Sequence, residues 1–179
     1  MTVSVFCGGA RPPGPRRRPG VPGSSLGEAS VSRQVAASFR DAWQRAVVHR
    51  DLAATPVPHL SAAAISARTT EPAGRTPEQA AAAALEEELI GEFLGASAYL
   101  FTVPMYNLTM PSVFKAWLDQ IMVVGRTLDP AGTPPATGRP AVVISARGGG
   151  YGPGTPGTAW TTWFPRWKPY WAPPFSAWT

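Results

Sequence analysis

Short apolar runs alternate with longer stretches of helical period along most of the chain. The strand-like runs are Met1–Phe6, Val47–Leu52, Ala98–Val103 and Ala141–Ser145. Between them, apolar residues recur at three- and four-residue spacing and predict helices that begin near Ser30, Thr76 and Ser112. Strands that alternate with helices indicate βαβ units, so the pattern predicts an α/β fold of three αβα layers around a parallel sheet.

The helix ends carry recognisable local signals. Thr76 is suited to cap the second helix, with Pro77 at its first position and Gln79 completing a capping box. Gly95 is placed to end that helix, and Gly125 to follow the third as its C-terminal glycine. These signals fix the predicted helices more firmly than the apolar period alone.

Composition divides the chain into three parts. Residues 1–23 include a tract rich in Pro, Gly and Arg, residues 24–157 carry the α/β pattern, and residues 158–179 form a tail with five of the seven tryptophans. Neither the tract Gly8–Gly23 nor the tail has a steady period, so we predict irregular structure in both and a sheet incomplete at its C-terminal edge. Residues 53–75 form a long connection, which is a candidate substrate cover.

The charge and the cysteine content limit the classes of protein to which this chain can belong. The formal charge is +5, but much of it comes from Arg11 and Arg16–Arg18 in the aperiodic tract, which favours a solvated tail over a nucleic-acid surface. One cysteine and two histidines without ligand spacing predict neither a disulfide nor a metal site. There is no apolar run of about 18 residues, as a membrane span requires, and no secretory signal, so we expect a cytoplasmic protein.

Three segments lie at the edge of the predicted sheet where ligands of parallel sheets bind. Two of them directly follow a predicted strand, and the third leads into a predicted helix. Residues 24–32 are rich in hydroxyls and run into a helix N-terminus, which favours a phosphate, although serine caps are common without a ligand. Pro104–Asn107 supplies apolar surface and an amide to a flat ring, or else forms an ordinary turn with Asn107 in a left-handed conformation. Arg147–Gly150 exposes main-chain amides, or is only a flexible turn.

Together these segments suit a nucleotide-like ligand with a flat ring, and here the chain resembles a known family. The stretches SSLGEASVSR, RDLAATPVPHL, PMYNLTMPSVFKAWLDQIMVVGRTL and ISARGGGYG are similar, in the same order, to FMN-dependent NADH-azoreductases and quinone reductases, which have a flavodoxin-like fold. The likeness runs from Ser24 to about Tyr151. Ala146 replaces a serine that is frequent in the family, and Leu108 replaces an aromatic residue.

The resemblance implies a set of FMN-binding residues. The phosphate would be held by Ser25, Ser30, Val31 and Ser32. The isoalloxazine ring would be lined by Met105, Tyr106, Asn107 and Leu108, and its polar edge by Ala146, Arg147, Gly148 and Gly149. No catalytic acid or base is evident.

The same resemblance implies an activity and an assembly. NADH or NADPH would reduce FMN, and a quinone or azo compound would then take two electrons in a ping-pong cycle, within a homodimer. Three alternatives stay open: an FMN reductase serving a partner flavoprotein, an inactive member whose atypical ends are out-of-frame translations, and a non-enzymatic binder that uses the Trp/Pro tail.

Overall fold

The computed structural model describes residues 1–7, 31–43, 46–151, 154–155, 157 and 175–178. The strands are β1 (Thr2–Cys7), β2 (Val47–Asp51), β3 (Ala96–Thr102), β4 (Ala141–Ile144) and β5 (Phe175–Trp178). The α-helices are α1 (Val31–Ala42), α2 (Ala62–Ala67), α3 (Pro77–Gly95) and α4 (Ser112–Ile121), and a 3-10 turn spans Pro72–Gly74. The arginine tract and most of the Trp/Pro tail lie outside the described residues.

The five strands form one sheet in the order β2-β1-β3-β4-β5. This order is the flavodoxin-like one, in which the chain reverses its direction of winding between β1 and β3. β3, β4 and β5 are parallel to one another, and β2 shares their direction because both β2 and β3 pair antiparallel with β1. The predicted α/β fold is therefore confirmed, and the carboxyl ends of four strands lie at one edge of the sheet.

Helices cover both faces of the sheet, because side chains alternate between faces along each strand. On one face, Ala98 and Leu100 of β3 pack with Phe6 and Ala36 beneath α1. On the other face, the intervening side chains of β3 pack under α3 and α4. That second cluster includes Tyr99, Phe101, Phe93, Phe114 and Trp117. The predicted αβα layering is present, and among the described residues the larger apolar cluster lies on the α3 and α4 side.

The direction of β1 corrects the prediction of an all-parallel sheet. Thr2 pairs with Thr102 and Cys7 pairs with Ala96, so β1 runs opposite to β3. A period-two pattern gives the faces of a strand but not its direction. The 23 residues from Gly8 to Ser30 are long enough to join Cys7 at one edge of the sheet to α1 in either sense. The first strand fills the central position, but it does so reversed.

The C-terminal edge also differs from the prediction. We expected residues 158–179 to be irregular and the sheet to lack its edge strand, yet Phe175–Trp178 pairs in parallel register with Ala141–Ile144. The sequence FSAW begins and ends with an aromatic residue, a type that is frequent in strands, but the two prolines directly before it obscured this signal.

Local capping explains where two helices begin. The Thr76 hydroxyl accepts a hydrogen bond from the Gln79 amide at 3.2 Å, and the Gln79 side chain accepts one from the Thr76 amide at 2.9 Å, so the predicted capping box is confirmed. In the connection for which no element was predicted, the Ser61 hydroxyl accepts a bond from the Ala64 amide at 3.1 Å and caps α2. α2 packs on α3, and this gives the connection a folded centre.

The third predicted helix ends earlier than expected. α4 stops at Ile121, because the Thr127 hydroxyl donates to the Ile121 carbonyl and accepts from the Val123 amide. Gly125 has the expected positive φ of 81°, but it lies in the following turn, where its amide donates to the Leu128 carbonyl at 2.8 Å. Across the described residues, no helix combines the length and the apolar character needed to cross a bilayer.

Candidate functional site

Two of the three predicted segments lie side by side beyond the ends of β3 and β4. The Val103 amide donates to the Ile144 carbonyl at 2.8 Å, and the Met105 amide donates to the Ala146 carbonyl at 2.9 Å. The parallel ladder thus continues past both strands before the chains separate. The structure therefore brings together the residues predicted to line a ring, at 105–108, and those predicted to meet its polar edge, at 146–149.

A tight turn shapes the first of these segments. The amides and carbonyls of Tyr106 and Thr109 exchange hydrogen bonds of 2.9 and 3.0 Å, and the two residues between them have positive φ, 48° at Asn107 and 67° at Leu108. Two consecutive residues of positive φ characterise a type I′ turn. The left-handed conformation of Asn107, which the alternative of an ordinary turn predicted, is present, whereas Leu108 is a residue type that rarely adopts it. The Tyr106 side chain is exposed, at 59% of its full accessibility.

The second segment presents an open stretch of backbone. A Cβ added to Gly148 would meet nothing within 4 Å, whereas one added to Gly149 would lie 3.4 Å from the Tyr151 ring. The Thr155 hydroxyl donates to the Gly150 carbonyl at 2.8 Å. The glycine run is therefore held from one side and is accessible around Gly148.

Three buried polar atoms at these strand ends lack a hydrogen-bond partner within the part of the chain that the structure describes. They are Thr102 Oγ1, Ser145 Oγ and Arg147 Nε. A buried donor without a partner costs about 1–3 kcal/mol, so such groups in a folded protein ordinarily meet a ligand or water. Ser145 Oγ and Arg147 Nε belong to the second segment, so a ligand held between the two segments (the cleft) would satisfy them.

The third predicted segment, residues 24–32, runs into α1, and the orientation of α1 shows which edge of the sheet its beginning faces. The Phe6 ring lies 5.5 Å from Phe39 and 4.8 Å from Trp43, and Phe6 itself pairs with Ala98 near the beginning of β3. The C-terminal end of α1 therefore lies at the amino edge of the sheet, and the helix N-terminus, with Val31 and Ser32, points toward the carboxyl edge. Ser25 and Ser30 lie outside the described residues.

Sequence patterns alone did not identify every residue of this cleft. Thr102 and Ser145 belong to apolar strand runs, where a hydroxyl gives no periodic signal. Tyr151 was recognised only as the end of the family-like stretch, although its ring covers Gly149. Neither Pro104–Leu108 nor Ser145–Tyr151 contains an aspartate, glutamate or histidine, so proton transfer by such groups is not available from these two segments.

The cleft fits a ligand with hydrogen-bonding edges and a flat ring. Gly148 allows close approach of a ligand to the backbone, while Ser145 Oγ and Arg147 Nε have no hydrogen-bond partner in the described part of the chain. Met105 and Leu108, both half-buried, supply apolar surface beside them. These are the features that FMN would require of this edge of the sheet.

Comparisons with known proteins agree with the fold. A family model described as flavodoxin-like fold matches residues 21–166. The chain is 49% identical over 139 residues to the FMN-dependent NADH:quinone oxidoreductase of Frankia casuarinae, an alignment that covers 74% of this chain and 66% of that protein. It is 42% identical over 146 residues to FMN-dependent NADH:quinone oxidoreductase 2 of Trichormus variabilis, covering 76% and 70% of the two chains.

A solved structure shows the same likeness. The azoreductase from Bacillus anthracis strain Sterne superposes with a TM-score of 0.63 at 26% identity, covering 74% of this chain and 68% of that one. The matched part of the chain thus spans about two thirds of the length of each of these relatives.

Proposed function

We propose that this chain, which belongs to the flavodoxin-like fold family together with FMN-dependent NADH:quinone oxidoreductases, binds FMN and transfers two electrons from NADH or NADPH to quinones and azo compounds. The observation that carries the proposal is the main-chain bond from Met105 to Ala146, which aligns the two ring-binding segments beside unsatisfied polar atoms. Bound FMN would supply the redox chemistry, as acceptor of a hydride and donor of two electrons.

The segment after β4 would bind the polar edge of the ring. The amides of Gly148 and Gly149 are suited to donate to ring carbonyls, because glycine lets the backbone approach closely. Arg147 places a permanent positive charge next to them, and its buried Nε, which has no partner among the described residues, would donate to the ligand. Donors fixed in this way stabilise negative charge without reorganising, so this edge would favour the reduced ring.

The turn after β3 would orient the ring. Met105, Tyr106, Asn107 and Leu108 would line it, with the Asn107 amide offering both a donor and an acceptor. The type I′ turn fixes the directions of these side chains, since both central residues are held at positive φ. Exposed Tyr106 would lie at the mouth of the cleft, where a substrate ring enters.

The beginning of α1 would hold the phosphate. Val31 and Ser32 stand in the first turn of α1, where the positive end of the helix dipole favours an anion. Ser25 and Ser30, which precede the helix, would add hydroxyl donors. We further propose that the protein is cytoplasmic, that it acts as a homodimer, and that donor and acceptor react in turn by a ping-pong mechanism.

A comparison of electron acceptors tests this function. The FMN-loaded protein is mixed with NADH, then with NADPH, and nucleotide oxidation is followed with a benzoquinone, an azo dye and free FMN as acceptors. We expect oxidation to be faster with the quinone and azo dye than with free FMN, and parallel lines in double-reciprocal plots. Faster turnover with free FMN would favour an FMN reductase instead. A flavin-loaded protein that oxidises neither nucleotide would overturn the proposed activity.

A further inference from the structure

We propose that a second pocket, between α2, α3 and the segment that follows α4, binds a small organic anion through a carboxylate or phosphate group. The pocket has a volume of about 180 Å³. Three arginines line it, Arg68, Arg75 and Arg126. None of them belongs to the segments at the strand ends, so this site is independent of the proposed flavin cleft.

Arg75 is the arginine best placed to bind a ligand. Its Nε donates to the Thr70 carbonyl at 3.1 Å, which holds the planar group in position. Neither of its terminal nitrogens has a hydrogen-bond or ion-pair partner among the residues that the structure describes. A guanidinium anchored at Nε presents its remaining N–H groups as a fork that matches two oxygens of a carboxylate or phosphate.

The other two arginines are matched by carboxylates. Arg68 Nε donates to Glu86 at 2.7 Å, and Arg126 Nη1 lies 2.7 Å from Glu87. The hydrogen bond that Arg126 donates to Glu87 also raises the pKa of Arg126, so that pair remains charged. Because three arginines face two glutamates, one positive charge in the pocket is left uncompensated.

The walls of the pocket argue for an organic ligand. Ala67, Ala83 and Val123 contribute apolar atoms to its lining. A short hydrocarbon portion would contact these side chains while the anionic oxygens bind Arg75. The uncompensated positive charge disfavours a cation. A short-chain carboxylate or a small phosphate ester is the class of ligand that satisfies both requirements.

Calorimetric titration of the full chain with butyrate, methyl phosphate and inorganic phosphate tests the proposal. We expect saturable binding of one molecule per chain, with at least one organic anion binding more tightly than inorganic phosphate. Arg75→Gln should weaken that binding about tenfold or more, since a hydrogen bond to a charged group is worth about 1.5–3 kcal/mol. Arg75→Lys retains the charge without the fork and should bind with intermediate affinity.

Arg40→Gln is the matched control. Arg40 lies on α1, on the opposite face of the sheet, where it contacts His49, so its loss should leave anion binding unchanged. FMN uptake by Arg75→Gln should equal that of the wild type, which separates the two sites. Absence of saturable binding in the wild type, or equal binding by Arg75→Gln, would overturn the proposal. Inorganic phosphate binding as tightly as both organic anions would overturn its organic part.

Discussion

Arg139 Nη1 donates a hydrogen bond to the carbonyl oxygen of Leu94 at 2.7 Å. The same nitrogen lies 2.7 Å from the Ala96 carbonyl, so one guanidinium binds the backbone on both sides of the junction between α3 and β3. The last carbonyls of a helix lack partners within the helix and carry the negative end of its dipole. Arg139 therefore acts as a distant C-terminal cap for α3.

Replacing this cap should destabilise the fold. We expect Arg139→Ala to lower the free energy of unfolding by about 1.5–3 kcal/mol, because it removes charged hydrogen bonds to partly buried carbonyls. Arg139→Lys, which keeps the charge but has a smaller donor set, should lose less. Urea denaturation measures both, with Arg40→Ala as the control. Equal stability of Arg139→Ala and the wild type would contradict the capping role.

Tyr99 makes the free energy of unfolding depend on pH in the alkaline range. Its hydroxyl donates to the Phe93 carbonyl at 2.9 Å, and burial raises the pKa of the phenol above its ordinary value of 10.0, against the opposing effect of Arg139. The folded state therefore holds this proton more tightly than the unfolded state. The stabilisation is complete below pH 10.0 and is lost as the pH rises through the folded pKa.

The Tyr99→Phe variant isolates this effect. At pH 7 it should be less stable than the wild type by about 1 kcal/mol, the usual worth of a hydrogen bond. This difference should shrink when unfolding is measured above pH 10. There the unfolded wild type loses the phenol proton that the folded wild type retains, which favours unfolding, whereas the variant has no phenol to titrate. A difference that stays constant or grows with pH would show that the phenol does not titrate in this way.

Substitutions at Leu108 distinguish the stability of the turn from the contribution of the Leu108 side chain to FMN binding. Its φ of 67° costs an L-residue about 1–2 kcal/mol, whereas glycine adopts it freely. We expect Leu108→Gly to retain or raise the free energy of unfolding while it weakens FMN binding, since apolar surface beside the ring is lost. Leu108→Asn, which tolerates positive φ, is the matched variant. Destabilisation together with unchanged FMN affinity would contradict both parts.

Local patterns predicted most elements because their causes are local. The capping box at Thr76 and Gln79 depends on four successive residues, and the apolar run of β3 reflects burial on both faces. The direction of β1 has no such local cause, since alternation is identical in both directions. It follows from pairing with Ala96–Thr102, which lies about 95 residues further along the chain.

The position of the candidate site could be predicted where its segments directly follow strands, because the ends of parallel strands meet at one edge of the sheet. The sequence placed Met105 and Ala146 at strand ends, and the parallel ladder then brought them together. The burial of the Ser145 hydroxyl and the cap made by Arg139 could not be predicted, because each depends on which distant groups surround it. Leu108 was also unexpected in a left-handed conformation, since its residue type argues against it.

The central claim is that the cleft beside Gly148 binds FMN, and a fluorescence titration with FMN tests it most directly. Gly148→Val places a side chain in space that is open in the folded chain, so it should obstruct a ligand without disturbing the fold. Gly91→Ala, in open space on α3, is the control for adding a side chain elsewhere. We predict that the wild type and Gly91→Ala quench one equivalent of FMN, and that Gly148→Val unfolds like the wild type but binds FMN much more weakly. A folded wild-type chain that leaves FMN fluorescence unchanged, or a Gly148→Val variant with wild-type affinity, would contradict the account.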